Sequence, residues 1–295
     1  MRILFFGYSQ VGYRAVELLA ERRASGDEVV GVVTHRDDPA ENRWYRTPAE
    51  AALAHGLPLF YDEELGPDGI VDLATQLSPD LVLSVFYRHM LPDAVLGTAR
   101  VAALNLHPSL LPAYRGRAPL NWALVNGETE TGVTLHHMVR RADAGDIVAQ
   151  RAVAIAPRDT ALSLYLKIEE AGIELLRETL PKSADGTAPR LPQDESRASK
   201  VGRRRPEDGR IDWSWPAARV DNLVRAVAPP WPGAFFDLPG PEGHRVFVHA
   251  GEPAEPIAED PGRPAPGTVR REGERTFIAA ADRWYRVDEA VGLDA

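Results

Sequence analysis

The first 180 residues alternate short continuous apolar runs with segments of helical spacing. The apolar runs are RILFF, DEVVGVVTH, LPLFY, DLVLSVFY and VAALNL, and the helical segments are VGYRAVELLAERR, TPAEAALAHG, IVDLATQLS and LPDAVLGTA. Continuous apolar strands between helices predict an α/β fold with a parallel sheet that is covered on both faces. GVTLHHM and IVAQRAVAI are predicted as further strands, and a long helix through ALSLYLKIEEAGIELLRETL is expected to end at Pro181.

The pattern changes after residue 182. Residues 183–205 are polar and basic, which predicts a linker between domains. Beyond them, RIDW, GAFFDLP, HRVFVHA, GTVRREG, RTFIAA and RWYRVD are strand-like and predict a small antiparallel barrel. The proline-rich, acidic stretch 251–267 is expected to be a surface loop of that barrel. The predicted organisation is a catalytic domain 1–182, a linker 183–205 and a second domain 206–295.

Composition narrows the class of protein. With 295 residues, 44% of them hydrophobic, the chain can bury one large and one small core. The absence of cysteine excludes disulfides, thiolate metal sites and a thiol nucleophile, and it fits the reducing cytoplasm. The formal net charge of −9 disfavours nucleic acid as a partner. No segment approaches the roughly 20 apolar residues of a membrane span, and the amino terminus is unlike a signal peptide. We therefore expect a cytoplasmic protein.

Asn105 and His107 are candidate catalytic residues because they stand two positions apart at the end of a predicted strand. Side chains at this spacing project from the same face of a sheet, and open α/β sheets bind ligands at the carboxyl ends of their strands. An amide donor beside an imidazole suits the stabilisation of an oxyanion while a proton moves. The alternative interpretation is that both residues only cap or turn the chain.

The segment ADAGDI supplies a candidate partner for this histidine. It places Asp143 and Asp146 around Gly145 in a tight loop after another predicted strand. An aspartate near His107 would orient the imidazole ring and raise its proton affinity. Taken alone, the segment is also consistent with an ordinary turn.

The run from Asn105 to Gln150 resembles the core of the folate-dependent formyltransferases, which pair Asn-x-His with a later Asp-x-Gly loop. The Ser-Leu-Leu-Pro and Arg-Gly elements between them match residues 109–112 and 115–116. Nearly the whole chain is similar to the amino-sugar branch, especially the formyltransferase domain of the bifunctional polymyxin-resistance enzyme that acts on UDP-4-amino-4-deoxy-L-arabinose. The segments that carry this similarity are NWALVNGETETGVTLH, RRADAG, RRRPEDGRIDW and RAVAPPWPGAF.

The resemblance implies a Rossmann-like formyltransferase domain with a mostly parallel sheet, an OB-like C-terminal barrel, and N10-formyltetrahydrofolate as the formyl donor. Asn105 matches the residue that polarises the formyl oxygen, His107 the acid/base, and Asp143 the partner that sets the protonation of that histidine. The positions that match donor contacts are His89, Met90, Leu91, Arg117, Val139, Arg140, Arg141 and Ala142. Without the resemblance, Met90 and Leu91 would be assigned to the core.

The implied acceptor is the primary amine of a nucleotide-linked amino sugar. The candidate acceptor contacts are Tyr114, Arg115, Gly116, Arg204 and Trp231. Two interpretations of Arg203–Arg205 stay open: these arginines bind a nucleotide diphosphate, or they form a solvated stretch. Trp231 between two prolines is either a stacking surface for a base or a packing anchor. No metal site is expected, since His136 and His137 occupy successive strand positions and face opposite ways. A homo-oligomer stays open.

Other functions compete with this one. A methionyl-tRNA formyltransferase should be more basic, whereas residues 201–295 carry 13 basic and 16 acidic side chains. Formylation of a free amine such as ornithine is a second alternative. A nicotinamide-dependent oxidoreductase would need G-x-G-x-x-G, but in the first turn, GYSQVG, Ser9 takes the place of the middle glycine. A non-catalytic binding module would be expected to lose the Asn, His or Asp, and all three are present.

Overall fold

The structure is a computed structural model that describes residues 1–39, 41–238, 244–254 and 264–293. The chain forms two compact units, and both are discontinuous in sequence. The first unit comprises Met1–Gly116, Thr131–Ala154 and Leu166–Val201. The second comprises Arg117–Glu130, Ile155–Tyr165 and Gly202–Ala295.

The secondary structure follows in chain order. The helices in the described ranges are α1 Ser9–Glu21, α2 Pro48–Ala54, α3 Asp62–Leu77, α4 Asp93–Leu96, α5 Pro119–Val125, α6 Ala161–Ala184 and α7 Ala217–Val227. The strands there are β1 Arg2–Gly7, β2 Glu28–Thr34, β3 Leu59–Tyr61, β4 Leu81–Val85, β5 Ala102–His107, β6 Arg115–Gly116, β7 Glu130–His137, β8 Ile147–Ala154, β9 Lys200–Val201, β10 Ala234–Leu238, β11 His244–Pro253, β12 Val269–Glu272, β13 Arg275–Ala279 and β14 Trp284–Val291.

A mostly parallel sheet forms the centre of the first unit. Its strand order is β3-β2-β1-β4-β5-β7-β8, with β1 to β5 parallel and β7 antiparallel to β5. Four consecutive β1 side chains, Ile3 to Phe6, are fully buried, because helices cover both faces of the sheet. The predicted α/β class with a mostly parallel sheet is confirmed. The reversed direction of β7 sets His136 directly opposite Asn105 on the neighbouring strand.

The predicted linker is fixed to the first unit along much of its length. Leu191 forms an antiparallel bridge with Ile147, and β9 pairs with β6. Helix α6 also continues past Pro181 to Ala184, so the expectation that it ends at this proline is wrong. The proline lies in the last turn, where it removes a single backbone donor, and the Asp185 N–H still donates to the Pro181 carbonyl.

The second unit contains an antiparallel sheet and a helix. Its described strands run in the order β10-β11-β14-β13-β12, and the antiparallel C-terminal sheet of the prediction is confirmed. The strand predicted at RIDW is wrong, because only Arg210 makes a single bridge to Phe235 before the chain turns. Helix α7 packs against β11 and was not predicted. Of the predicted loop 251–267, the first residues belong to β11 and residues 255–263 lie outside the described ranges.

Within the residues that the structure describes, no helix combines the length and the apolar character needed to cross a lipid bilayer.

Candidate active site

Three polar side chains share one face of the first unit's sheet. Asn105 and His107 alternate along β5, and His136 on β7 is the cross-strand partner of Asn105. Asn105 Nδ2 lies 3.1 Å from His136 Nε2. Alternation in a strand and direct pairing across strands place these side chains together, as the pleat requires.

The loop after β7 brings Asp143 over this face. Asp143 Oδ1 lies 3.5 Å from His107 Nδ1 and 3.6 Å from His136 Nε2. Its other carboxylate oxygen accepts a hydrogen bond of 2.9 Å from the Gly116 backbone N–H. The loop is tight at Gly145, where a Cβ atom would stand 2.0 Å from the His137 carbonyl oxygen, so only glycine fits. The three predicted catalytic residues therefore converge, and His136 joins them.

Hydrogen bonds assign the protons of the two histidines. His136 Nδ1 lies 2.9 Å from the His137 carbonyl oxygen and must donate to it, so Nε2 of the neutral ring accepts from the Asn105 amide. His107 Nε2 likewise donates to the Tyr114 carbonyl oxygen at 3.0 Å, which leaves Nδ1 of the neutral ring unprotonated and facing Asp143. A proton gained at Nδ1 would point at this carboxylate.

Burial and charge shift the pKa values of this cluster. Burial lowers the pKa of His107 below its ordinary value, although the Asp143 charge and the Tyr114 carbonyl oppose that effect. Burial also raises the pKa of Asp143. In the acid range where this carboxylate titrates, however, protonated His136 and His107 and the Gly116 N–H outweigh burial and lower the pKa to about 2. At neutral pH the site therefore holds an ionised carboxylate beside a mostly neutral imidazole.

The predicted acceptor contacts Tyr114, Arg115 and Gly116 cross this site, but Arg115 does not face it. Arg115 is 2% exposed, and its guanidinium donates to Gln193 and Glu195. The expected substrate contact at Arg115 is therefore corrected, because its donors already hold internal partners. Tyr114 and Gly116 contact His107 and Asp143 through backbone atoms, the Tyr114 carbonyl and the Gly116 N–H.

The predicted donor segment follows β4. His89 is largely exposed, and its Nδ1 lies 2.7 Å from the buried Asp62 carboxylate. Met90 is 61% exposed, whereas Leu91 is 8% exposed and belongs to the hydrophobic core beside Leu4 and Val82. The segment thus presents one imidazole and one exposed apolar side chain to solvent, and the buried side chain of Leu91 attaches it to the core.

The remaining predicted donor contacts belong to two segments of the chain. Val139, Arg140, Arg141 and Ala142 are exposed residues between β7 and Asp143, and Arg141 pairs with Glu195. Arg117 begins a segment of the second unit and is exposed. A ligand can reach the side chains of this loop from solvent.

His35, Asp62 and His89 are a possible metal-binding group among the described residues, since their ligand atoms lie within 4.8 Å of one another. However, His35 Nε2 accepts the Arg88 backbone N–H, so the neutral ring carries its proton on Nδ1, the atom that faces Asp62. Hydrogen bonds from Tyr87 and His89 oppose the effect of burial on Asp62 and keep its pKa below the ordinary value. Asp62 accepts a hydrogen bond from His89, His35 Nδ1 lies 3.6 Å from its other oxygen, and His35 presents no lone pair to a cation.

Arg204 lines a pocket in the second unit. The cavity measures about 280 Å³, and its lining residues are Trp122, Val125, Arg204, Glu207, Asp208, Arg210, Trp215, Arg219 and Leu223. Arg204 stacks on Trp122 with 4.8 Å between the guanidinium carbon and the ring centre, and Arg219 stacks on Trp215 at 4.0 Å. Trp231 is not in this lining and follows α7, where its N–H donates to the Ala228 carbonyl.

Two residues of the site escape analysis of the sequence alone. His136 has a signal, because an antiparallel register between β5 and β7 places it opposite Asn105, but that register cannot be known without the fold. Gln193 lies in the predicted linker, yet its side chain donates to the carbonyls of Asp143 and Gly145. Nothing local in the sequence connects residues 50 positions apart.

The family of the chain follows from comparison with known domains. The formyl transferase model matches residues 1–180, and the formyl transferase C-terminal domain model matches residues 203–291. The first match alone covers more than half of the chain, so this protein belongs to the formyl transferase family and is a formyltransferase. The predicted family and enzyme class are confirmed.

Several solved structures share the fold. An N-formyltransferase from Helicobacter canadensis, in complex with folinic acid and dTDP-3-aminofucose, is 18% identical with a TM-score of 0.74, and the match covers 99% of this chain and 100% of that one. WlaRD, a sugar 3N-formyl transferase in the presence of dTDP and 5-N-formyl-THF, is 17% identical with a TM-score of 0.71 over 100% and 98%. HypX from Aquifex aeolicus, in complex with tetrahydrofolic acid, is 24% identical with a TM-score of 0.66 over 98% of this chain and 44% of HypX. This chain thus spans less than half the length of HypX.

Proposed function

We propose that this enzyme transfers a formyl group from N10-formyltetrahydrofolate to the primary amine of a nucleotide-linked amino sugar. The observation that carries the proposal is the convergence of Asn105, His107 and Asp143 on one face of the sheet. The similar structures support the two substrates, since they contain folate compounds and dTDP or a dTDP-linked amino sugar. UDP-4-amino-4-deoxy-L-arabinose or a similar 4-amino sugar is the acceptor that the sequence favours.

The donor fits the segment after β4 chemically. His89 is held at Nδ1 by Asp62, so Nε2 remains for a ligand, and the exposed side chains of Met90 and Val139 offer apolar surface to a flat ring. When bound, the donor supplies an electrophilic formyl carbon and N10 as the leaving nitrogen. Arg117, Arg140, Arg141 and Ala142 are the further donor contacts that we propose.

Asn105 and His107 would stabilise the transition state in different ways. One hydrogen of the Asn105 amide is held by His136, and the second can donate to the formyl oxygen as negative charge develops there. His107 takes a proton at Nδ1 from the attacking amine, and the resulting imidazolium faces the Asp143 carboxylate. The new C–N bond forms, the C–N10 bond breaks, and the proton ends on N10. The products are the formylated amine and tetrahydrofolate.

The pocket of the second unit is our proposed site for the nucleotide end of the acceptor. Indole rings can stack on bases, and guanidinium groups can pair with phosphates. The lining of this pocket contains two indole rings and three guanidinium groups, those of Trp122, Trp215, Arg204, Arg210 and Arg219. Its volume of about 280 Å³ suits a base or a phosphate group rather than a whole nucleotide sugar. Trp231, Tyr114 and Gly116 remain proposed acceptor contacts outside this lining.

The test is an assay of tetrahydrofolate release from N10-formyltetrahydrofolate with a panel of acceptors. The panel contains UDP- and dTDP-linked 3- and 4-amino sugars, ornithine and charged initiator tRNA. We expect turnover with a nucleotide-linked sugar, a loss of about 10²–10³-fold in Asn105→Ala and of about 10²–10⁴-fold in His107→Ala. Turnover with tRNA or ornithine alone would reject the sugar, and wild-type rates in both variants would reject the site.

The nucleotide pocket has a separate test. Arg204→Ala should raise the KM for the nucleotide sugar about tenfold or more and leave the KM for the folate donor unchanged, since a lost charged hydrogen bond costs about 1.5–3 kcal/mol. Arg203→Ala, its exposed neighbour outside the pocket lining, is the matched control. Equal acceptor KM values in the two variants would place the nucleotide elsewhere.

A further inference from the structure

Asp143 has a left-handed backbone conformation, which is uncommon outside glycine although aspartate adopts it more readily than most residues. Asp143 has a φ of 54°, in the left-handed region, and it lies between exposed loop residues and Gly145. This conformation still costs free energy for a residue with a Cβ atom, and contacts from the surrounding structure can stabilise it. The structure identifies the side chain that does so.

Gln193 spans the turn from outside. Its Nε2 donates to the carbonyl oxygen of Asp143 at 2.8 Å and to that of Gly145 at 2.7 Å. Both hydrogens of the amide are therefore used on backbone groups two residues apart. A single planar group that binds both carbonyls fixes the orientation of the Asp143–Ala144 and Gly145–Asp146 peptides, and with them the direction of the Asp143 side chain.

Arg115 fixes the orientation of the Gln193 amide in turn. Its Nε and one terminal nitrogen lie 3.1 and 2.6 Å from Gln193 Oε1. Because the guanidinium can only donate, the oxygen of the amide must face it and the NH₂ group must face the turn. The guanidinium is buried and also reaches the Glu195 carboxylate, and the next residue, Gly116, donates its N–H to Asp143. One short segment therefore supports the aspartate by two routes.

We propose that Gln193 is a positioning residue of the transferase, which holds the Asp143 turn so that its carboxylate faces His107. This inference rests on the proposed function for the role of the Asp143–His107 pair. It adds a residue from the predicted linker to the site, and it gives buried Arg115 the task of orienting Gln193. The segment after α6 is then part of the active-site support rather than a simple connection.

The variant Gln193→Met tests the proposal, since it keeps the length of the side chain and removes both donors. The matched control is Gln150→Met, because Gln150 Nε2 also donates twice, to the Leu111 carbonyl and to Thr134, both at 2.8 Å and away from Asp143. The first measurement is the crystal structure of each variant. We expect a displaced Asp143 turn in Gln193→Met alone, and an unchanged turn there would overturn the proposal.

The second measurement is the NMR titration of the His107 ring, identified by the resonance that His107→Gln removes. The groups that face this ring are Asp143, His136 and the Tyr114 carbonyl. The His107 pKa should fall in Gln193→Met, in the same direction as in Asp143→Asn, and stay unchanged in Gln150→Met. Turnover should fall about 10²-fold, as expected for a misplaced catalytic group.

The outcomes separate this inference from the proposed function. A His107 pKa that falls in Asp143→Asn but not in Gln193→Met shows that Gln193 has only a structural role, even if turnover falls with thermal stability. A displaced turn in Gln193→Met without any pKa change in Asp143→Asn supports the positioning role and contradicts the proposed coupling of Asp143 to His107. Neither readout depends on which amine is the acceptor.

Discussion

At the scale of single residues, the protonation of His107 reflects two opposing effects. Burial lowers its pKa, and the negative charge of Asp143 and the carbonyl of Tyr114 raise it. The net pKa lies below the ordinary value, so the ring is neutral and able to accept a proton at neutral pH. The aspartate raises the proton affinity of His107, as expected from the sequence, but burial has the larger effect.

Asp143→Asn should move the acid limb of the pH–rate profile to lower pH. In the proposed mechanism the neutral form of His107 is the base, so kcat should fall as pH drops through the His107 pKa. Removal of the carboxylate charge takes away an effect that raises this pKa, which then falls further. We also expect kcat at neutral pH to drop about 10²-fold or more, because the imidazolium loses its counter-charge. The measurement is kcat from pH 4 to 9 with saturating substrates.

The control for this profile is Asp146→Asn. Asp146 is in the same loop, but its carboxylate faces Arg190 at 3.6 Å. The acid limb of the pH–rate profile of Asp146→Asn should coincide with that of the wild type. If the two variants give the same profile, Asp143 does not set the protonation of His107.

His136→Phe should lower kcat about tenfold with little change in either KM. The neutral ring accepts a hydrogen bond from the Asn105 amide, and the loss of one such bond costs about 1 kcal/mol or somewhat more. The control is His137→Phe, the neighbouring position, whose ring points to the opposite face of β7. A wild-type kcat in His136→Phe would mean that Asn105 needs no partner to stay oriented.

At the scale of elements, the sequence predicts best where a pattern is local and continuous. The apolar runs of β1, β2, β4 and β5 identify the sheet, because a strand buried on both faces needs apolar residues at every position. Helix α7 is missed because its buried face includes a charged residue, Asp221, which interrupts the apolar spacing. RIDW resembles a strand because of composition, but buried Ile211 lies in irregular chain and buried Trp213 in a turn.

Asp221 itself explains why α7 tolerates a buried charge. Its carboxylate pairs with Arg225 at 2.8 Å and lies 3.4 Å from both Arg158 and the Tyr285 hydroxyl. Burial beside this carboxylate raises the pKa of Tyr285 well above its ordinary value, so the phenol stays a donor. The sequence cannot show such a cluster, since its members are up to 127 positions apart in the chain.

Asp221→Ala should destabilise the protein by about 3–5 kcal/mol, because it leaves a buried arginine without its counter-charge. The comparison variant is Asp237→Ala, which removes an aspartate that also contacts two arginines, Arg210 and Arg245, but on the exposed surface. That variant should lose much less stability, because water screens exposed ion pairs. Urea unfolding followed by circular dichroism gives both values, and similar losses would show that α7 does not depend on its buried pair.

At the scale of the whole molecule, the family domains and the folded units divide the chain differently. The two family models meet between residues 180 and 203, whereas the second unit also takes in residues 117–130 and 155–165. Helix α5 packs against α7, with a buried hydrogen bond of 2.8 Å from the Asn121 amide to the Ala226 carbonyl. A division by sequence composition, such as one near residue 183, cannot reveal segments that return to the other unit.

This interleaving predicts that a fragment of residues 1–201 does not fold as the whole protein does. The fragment contains Leu120, Leu124 and Leu164, which are buried in the whole chain. It lacks residues 202–295, which form most of the second unit to which these leucines belong. Exposure of apolar side chains costs about 25 cal/mol per Å² and favours aggregation. We expect the fragment to bind a hydrophobic dye and to melt without a cooperative transition.

The control is the whole chain cut by a protease site placed at the exposed turn of Asp185 and Gly186. This cut breaks the chain between the same two family domains but leaves every partner of the interleaved segments present. The nicked protein should therefore keep a cooperative melt close to that of the intact chain. A fragment 1–201 that melts as cooperatively as the nicked protein would show that the sequence boundary, rather than the interleaved unit, defines what folds independently.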